Sequence, residues 1–154
     1  MLLIRHPSPL KISPAPAGVV LRQPSVADTV ELGRLYYESY PPGVACDSEV
    51  AAIEDIRVTF EGEYGPLSLT KSFLAVAGQS LFGAVLVVDR APWPNTPDCP
   101  FIIELFTAPA VRRQGLAKTL LSTCLQHPTD FALQVAPDNT PAVELYESLS
   151  FQPG

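Results

Sequence analysis

The chain has few of the groups that metal, redox and hydrolytic chemistry draw on. It contains two histidines, one tryptophan, one methionine and three cysteines, Cys46, Cys99 and Cys124. The cysteine spacing matches neither a zinc-ligand pattern nor a CxxC redox motif, so no metal site is expected. An odd number of thiols fits a reducing compartment, and each reads as a small buried hydrophobe or a surface thiol. No serine or cysteine stands in a histidine-activated pattern, which disfavours a covalent enzyme intermediate. No apolar run reaches the roughly 20 residues of a membrane helix. Met1–Ile4 is apolar, but Arg5 and His6 interrupt it too early for a signal-peptide core. A cytoplasmic protein without a membrane partner is therefore expected. Cationic side chains are also scarce: ten Lys and Arg against sixteen Asp and Glu, a formal net charge of -6. That weighs against a nucleic-acid partner and favours attraction of a cationic ligand to an acidic cleft.

What the chain does have is apolar residues, 47% of the total, and 17 prolines among 154 residues. The length points to one domain, large enough to bury about two-thirds of its unfolded surface. Pro7, Pro9, Pro14 and Pro16 mark residues 1–17 as an extended, loose arm ahead of a domain over 18–154. Val19 to Arg22 reads as a short strand stopped by Pro24. Ser25 is a helix cap with Asp28 in the acidic first turn. Val26, Val30, Leu32, Leu35 and Tyr36 recur at helical spacing as far as Tyr40, where Pro41-Pro42-Gly43 ends the run. Asp47 or Ser48 caps a second helix, with Val50, Ile53, Ile56 and Phe60 on its apolar face. Ser72–Ala77 and Leu81–Val88 read as strands joined by a tight turn at Gly78-Gln79-Ser80. Proline-rich 91–100 is a loop. A strand over Phe101–Thr107, a helix over about 113–126, a strand over Phe131–Val135 and a helix over Pro141–Leu149 complete the order β-α-α-β-β-β-α-β-α. Helices set apart from consecutive strands predict an α/β (α+β) protein with a mixed sheet.

The segment Phe101-Ile-Ile-Glu-Leu-Phe-Thr-Ala-Pro-Ala-Val-Arg-Arg-Gln-Gly-Leu-Ala117 carries the chemistry. It is a strand, a turn and a helix start. The first N–H groups of a helix lack partners within it and point outward at the positive end of its dipole. Gly115 lets a phosphate approach the backbone, Ala117 keeps that approach clear, and Arg112 and Arg113 add positive charge. A pyrophosphate is the natural ligand. A P-loop is excluded because no Gly-Lys-Ser/Thr follows, and the single glycine makes a poor Rossmann fingerprint.

Arg112-Arg113-Gln114-Gly115-Leu116-Ala117 resembles the Gln/Arg-x-x-Gly-x-Gly/Ala acetyl-CoA motif of the GNAT acetyltransferase superfamily. Asn139, Ala142, Leu145, Tyr146 and Phe151 resemble its second landmark, Asn-x-x-Ala-x-x-Leu-Tyr-x-x-x-Gly-Phe, with Ser150 in place of glycine. The resemblance implies a mixed, splayed sheet with helices on both faces and acetyl-CoA as co-substrate in the opening. Residues Arg112 to Lys118 and Asn139 would hold that co-substrate. The backbone of Leu105, Phe106 and Thr107 would pair with its pantetheine, one N–H polarising the acetyl carbonyl. Tyr146 would protonate the departing thiolate, being itself protonated at neutral pH. Alternatively, Tyr146 packs on the sheet and Asn139 is a helix cap.

The implied activity is transfer of an acetyl group to an amine of a small molecule or peptide by direct attack. Glu104, a charge within an apolar strand, is the candidate base; otherwise it faces outward or forms an ion pair. Glu61, Glu63, Tyr64 and Trp93 are candidates for the acceptor pocket. The usual last two strands of such a sheet are not found after Phe151. That predicts an open, apolar edge at Phe131–Val135 and a homodimer that covers it, the proline-rich arm being a poor donor. Two other readings remain: a catalytically impaired acyl-CoA-binding module, and an unrelated nucleotide-phosphate binder.

Overall fold

The computed structural model describes all residues from 1 to 154. Its strands are β1 (Leu2–Arg5), β2 (Val20–Arg22), β3 (Phe73–Ala77), β4 (Ser80–Val88), β5 (Phe101–Thr107), β6 (Phe131–Gln134) and β7 (Gln152–Pro153). Its helices are α1 (Thr29–Glu38), α2 (Glu49–Phe60), α3 (Leu116–Cys124) and α4 (Thr140–Ser148). The strands form one sheet in the order β2-β3-β4-β5-β6-β1-β7. From Val20 to Ser148 the element order is the one the sequence pattern predicts. No helix is long and apolar enough to cross a membrane.

Period-two alternation sorts the sheet residues between two cores. Ala75, Val85, Val87, Ile102 and Leu133 face α3 and α4. Leu74, Val76, Ala84, Leu86 and Phe106 face α1 and α2. Between the latter helices a glycine is required for close approach: a Cβ on Gly33 would lie 2.5 Å from the Cα of Ile53. The helix starts follow their sequence signals. Ser48 accepts from the Ala51 N–H at 3.1 Å, the bond of an N-cap. Ser25 and Asp28 lie in a single 3₁₀ turn, Val26–Asp28, that precedes α1; the Asp28 carboxylate accepts from the Ser25 N–H and from both terminal nitrogens of Arg22.

The predicted open edge does not exist. β1 pairs antiparallel with β6 from Leu2↔Gln134 to Arg5↔Phe131, and β7 pairs with β1 on its far side. The prolines of the N-terminal segment begin at Pro7, so Met1–Arg5 retain every N–H a strand needs; averaging composition over residues 1–17 hid that. Both places beyond β6 are filled from the chain's own ends, which removes the argument for a partner strand there. β7 ends the sheet as a two-residue strand containing Pro153, a short edge that resists further pairing. The segment between β1 and β2 is tied across α3. The Ser13 N–H donates to Ser122 Oγ, Thr119 Oγ1 donates to the Pro14 carbonyl, and Gln126 donates to the Leu10 carbonyl.

Leu3, 1% exposed at the centre of β1, belongs to the α3/α4 core. Leu3→Ala should destabilise the protein by about 3 kcal/mol in urea unfolding, the range for a buried leucine truncation. Unchanged stability would show that β1 is not an integral strand.

Candidate active site

β5 and β6 are paired only at Phe101↔Ala132 and Ile102↔Leu133, in parallel. Beyond that they separate, and a cavity of about 360 Å³ fills the opening. Residues Ile102 to Thr107 form one wall and Leu133 to Ala136 the other. Leu105, Phe106 and Thr107 therefore line the opening, as the resemblance implies. β5 is meanwhile bound to β4 along its other side, from Gly83↔Thr107 to Val88↔Phe101. The gap is a place where an extended chain finds backbone partners on neither side occupied.

At one end of the cleft, the turn Pro109–Val111 leads through Arg113, at φ +67°, and Gly115, at φ +77°, into α3. A Cβ on Gly115 would meet nothing within 4 Å; the space in front of it belongs to whatever binds there. No acceptor in the chain takes a hydrogen bond from the backbone N–H groups of Arg113 through Lys118, which face outward at the helix's positive end. Arg113, Gln114 and Lys118 are exposed. Leu116 is buried, so only its backbone is available. Ala117 and Arg112 line the cleft; Arg112 also donates to the Ser39 carbonyl, joining this loop to the end of α1. These features suit a pyrophosphate: free N–H groups, an unobstructed glycine and nearby cations.

Glu104 sits at the middle of the cleft. Between Glu104↔Leu86 and Ile102↔Val87 the register slips, leaving Ile103 as an extra residue in β5. This bulge puts Ile103 and Glu104 together on the α1/α2 face, against ordinary alternation. Glu104 keeps an accessible edge on the cleft, but burial of its carboxylate pushes its pKa up to about 7. The nearby Tyr36 hydroxyl works in the opposite direction, and the negative charge of Asp55 adds to the rise.

Across the opening, α4 presents Tyr146, 9% exposed and packed edge-on against Phe151 at 5.7 Å. Burial, reinforced by Glu104, raises its pKa to about 12, so it is a protonated donor. Its side chain lines the cleft. Asn139 caps α4, its side chain accepting from the Ala142 N–H at 3.4 Å, and it also lines the cleft. Tyr40, at the end of α1, also lines the opening. Burial raises its pKa, with Glu104 adding to the effect. Tyr36 and Tyr40 pack edge to face at 5.7 Å.

The acceptor-pocket candidates divide. Tyr64 and Trp93 meet in a cavity of about 200 Å³ that also contains Asp55 and Glu104. Their rings stack at 6.5 Å. The Tyr64 hydroxyl donates to Asp55, which, with burial, raises the tyrosine pKa to about 12. Glu61 instead forms an i,i+4 ion pair with Arg57 at 2.5 Å on the exposed face of α2 and lines neither this cavity nor the cleft. Glu63 is likewise outside both. Asp55, Tyr36 and Tyr40 were not among the residues singled out from the sequence. They fall on helices whose periodicity reports packing, and only the approach of α1 and α2 to the β5 bulge makes them neighbours of Glu104. No cluster of His, Cys, Asp and Glu is arranged to hold a metal ion.

Raising the Glu104 pKa from 4.5 to about 7 means that the folded state binds this proton more tightly than the unfolded chain. The carboxyl group's contribution to stability is then lost as pH rises from about 4.5 through about 7, a change on the order of 3 kcal/mol. Glu104→Gln removes the titration. The variant should gain melting temperature relative to the parent on moving from pH 5.5 to pH 8, by several degrees for a domain of this size. A constant difference between the two proteins over that range would show that Glu104 titrates normally.

The family model for the acetyltransferase (GNAT) family matches residues 31–151. No curated protein sequence matches the chain. Among solved structures, it is similar to the aminoglycoside N-acetyltransferase AAC(6')-Iy in complex with CoA, with 21% identity, a TM-score of 0.67 and 92% of each chain covered. It is also similar to the diaminobutyrate acetyltransferase EctA from Paenibacillus lautus, solved with its substrate and coenzyme A. Here identity is 18% and the TM-score 0.59, over 85% of this chain and 74% of the other. For the aminoglycoside 6'-N-acetyltransferase AAC(6')-IG from Acinetobacter haemolyticus the values are 20% and 0.64, over 87% and 91%. At these identities the likeness is one of fold. The family match, over most of the chain and across both halves of the cleft, carries the assignment: this chain belongs to the GNAT acetyltransferase family.

Proposed function

We propose that the chain acetylates an amine by direct attack on the thioester of acetyl-CoA, with Glu104 as proton acceptor and Tyr146 as proton donor. One observation carries this reading. Two titratable groups with widely separated pKa values face one opening, a carboxyl near 7 and a phenol near 12. Paired groups with separated pKa values are the signature of acid and base roles.

The free N–H groups from Arg113 to Lys118 hold the pyrophosphate of the co-substrate, and the backbone of Leu105 to Thr107 takes its pantetheine as an added strand. Acetyl-CoA supplies the activated acyl group. Glu104 removes a proton from the ammonium form of the acceptor so that its nitrogen can form the new C–N bond. The nitrogen of the adduct still carries a surplus proton; as the C–S bond breaks, Tyr146 gives its proton to the sulfur and its phenolate takes that proton from the nitrogen, leaving the neutral amide. All of these residues come from one copy of the chain. Three free cysteines support a cytoplasmic setting.

Gly115→Glu should abolish the thermal stabilisation by acetyl-CoA, which at about 100 times its dissociation constant amounts to roughly 2.7 kcal/mol. An unchanged shift in that variant would place the pyrophosphate elsewhere.

Amine-dependent release of CoA, followed with a thiol reagent, tests the activity itself. kcat/KM should rise with pH through about 7 as Glu104 loses its proton, and Glu104→Gln should remove that limb. Tyr146→Phe should lower kcat by about 10²- to 10⁴-fold with little change in acetyl-CoA affinity. Full activity of the Phe variant would leave Tyr146 a packing residue. Binding of acetyl-CoA without turnover of any amine would favour the non-catalytic module.

A further inference from the structure

On the α1/α2 face, two cavities open beside Glu104. The one of about 200 Å³ holds the charged groups: Asp55 and Glu104, beneath Tyr64 and Trp93. A second, of about 260 Å³, is formed by Trp93, Phe101, Ile102, Ile103 and Gln134. Trp93 and Ile103 belong to both, so the two lie side by side along the bulge. Aromatic rings line the junction. Tyr64 stacks on Trp93, and Trp93 meets Phe101 edge to face at 5.8 Å.

The polar inventory of this space is one-sided. No Lys, Arg or His lines either cavity. Arg112 of the neighbouring cleft donates to the Ser39 carbonyl, Arg57 is paired with Glu54 and Glu61, and the exposed Arg90 lies 3.9 Å from Asp98. An acceptor carboxylate would thus be desolvated without a partner. Hydroxyl partners are also scarce. Thr59 donates to the Asp55 carbonyl and Tyr64 to the Asp55 carboxylate, leaving Gln134 as the one polar side chain of the larger cavity. A polyhydroxylated body would lose water there and regain little. One end, by contrast, favours a single ammonium, through Asp55 and the faces of Tyr64 and Trp93.

We infer that the acceptor is a monoamine carried on a flat apolar body, of the arylalkylamine type, with no carboxylate: its nitrogen lies at Glu104 and its ring against Trp93, Phe101 and Ile103. This deepens the reading above, since it takes Glu104 as the proton acceptor. The ring fills the space between Trp93 and Gln134, while Asp55 repels anionic competitors. Acceptor choice then depends mainly on what the cavities omit, a cation for a carboxylate and free donors for a polyol.

Trp93 is the chain's sole tryptophan and is 44% exposed, so intrinsic fluorescence reports directly on this space. The experiment compares phenethylamine, phenylalanine, putrescine and an aminoglycoside in two assays: CoA release from acetyl-CoA, and Trp93 fluorescence with CoA present. Phenethylamine should exceed each of the others by about tenfold or more in kcat/KM, and should perturb Trp93 emission at lower concentration than they do. Trp93→Leu should raise its KM about tenfold with little change in kcat. Better turnover of phenylalanine, putrescine or the aminoglycoside would overturn the acceptor class and leave amine acetylation standing. Tightest binding of phenethylamine at Trp93 without turnover of any amine would uphold the acceptor class and overturn catalysis. No fluorescence response to phenethylamine, with or without turnover, would defeat this inference.

Discussion

Everything the protein does depends on two strands parting company. β5 and β6 share two residue pairs and then diverge, a separation that leaves backbone groups on their inner sides unmatched. In the free protein water can meet those groups in the open cleft, and both strands are held from outside. β4 binds β5 through six residue pairs, and β1 binds β6 through four. A ligand that enters as a strand then supplies the missing partners. The cleft thus reflects sheet physics before any side chain is considered, and the side chains convert a backbone receptor into a reaction site.

The bulge at Ile103 is the second determinant. Without it, Ile103 would take the opposite face from Glu104, and the carboxyl group would follow strict alternation along β5. With it, Glu104 lies among Tyr36, Asp55 and Trp93 and still borders the gap. Burial there makes its charged form costly, and the same burial holds its pKa near the pH at which a base is useful. Tyr146 is affected in a complementary way: desolvation keeps the phenol protonated, and a charge on Glu104 keeps it so more firmly. Glu104 thus helps to keep the neighbouring phenol protonated.

Much of the fold was legible in the sequence because its signals are local. Apolar periodicity marked α1 to α3, Pro141 marked the start of α4, Asp47 or Ser48 that of α2, and Gly78 the β3–β4 turn. The Gly115 and Tyr146 segments were legible for a stronger reason, since turn, helix start and preceding strand occur in one order. What escaped was set by register and tertiary approach. Nothing in Phe101 to Thr107 announces that Ile103 is a bulged residue, because the run is apolar but for Glu104 and the terminal Thr107. Asp55 and Tyr36 look like ordinary helix residues until α1 and α2 close over β5. Glu61 was placed near the pocket by its position after α2, while the Arg57 four residues before it, an ordinary helical ion-pair spacing, already offered it a partner on the solvent side. The four residues Leu2–Arg5, ahead of the first proline, were too few to stand out as a strand, though two of them, Leu3 and Arg5, are fully buried.

That strand links the two ends of the chain to the cleft. The N-terminal ammonium of Met1 donates to the Val135 carbonyl at 2.8 Å, and Val135 lines the opening. Arg5, 1% exposed, donates through Nε to the Leu149 carbonyl at 2.7 Å, at the negative end of α4. Its second amino group is bound to Ser8. No carboxylate pairs with this guanidinium, so its charge is met by neutral oxygens, the Leu149 carbonyl at the helix end and the carbonyl and hydroxyl of Ser8. β1 therefore fixes the β6 wall of the gap and, through Arg5, the end of the helix that carries Tyr146. A change at the extreme N-terminus should be felt at Tyr146 because rigid elements connect them: strand to helix end, helix end to phenol. The short N-terminal strand thereby supports the position of Tyr146, the proposed proton donor, as well as the edge of the sheet.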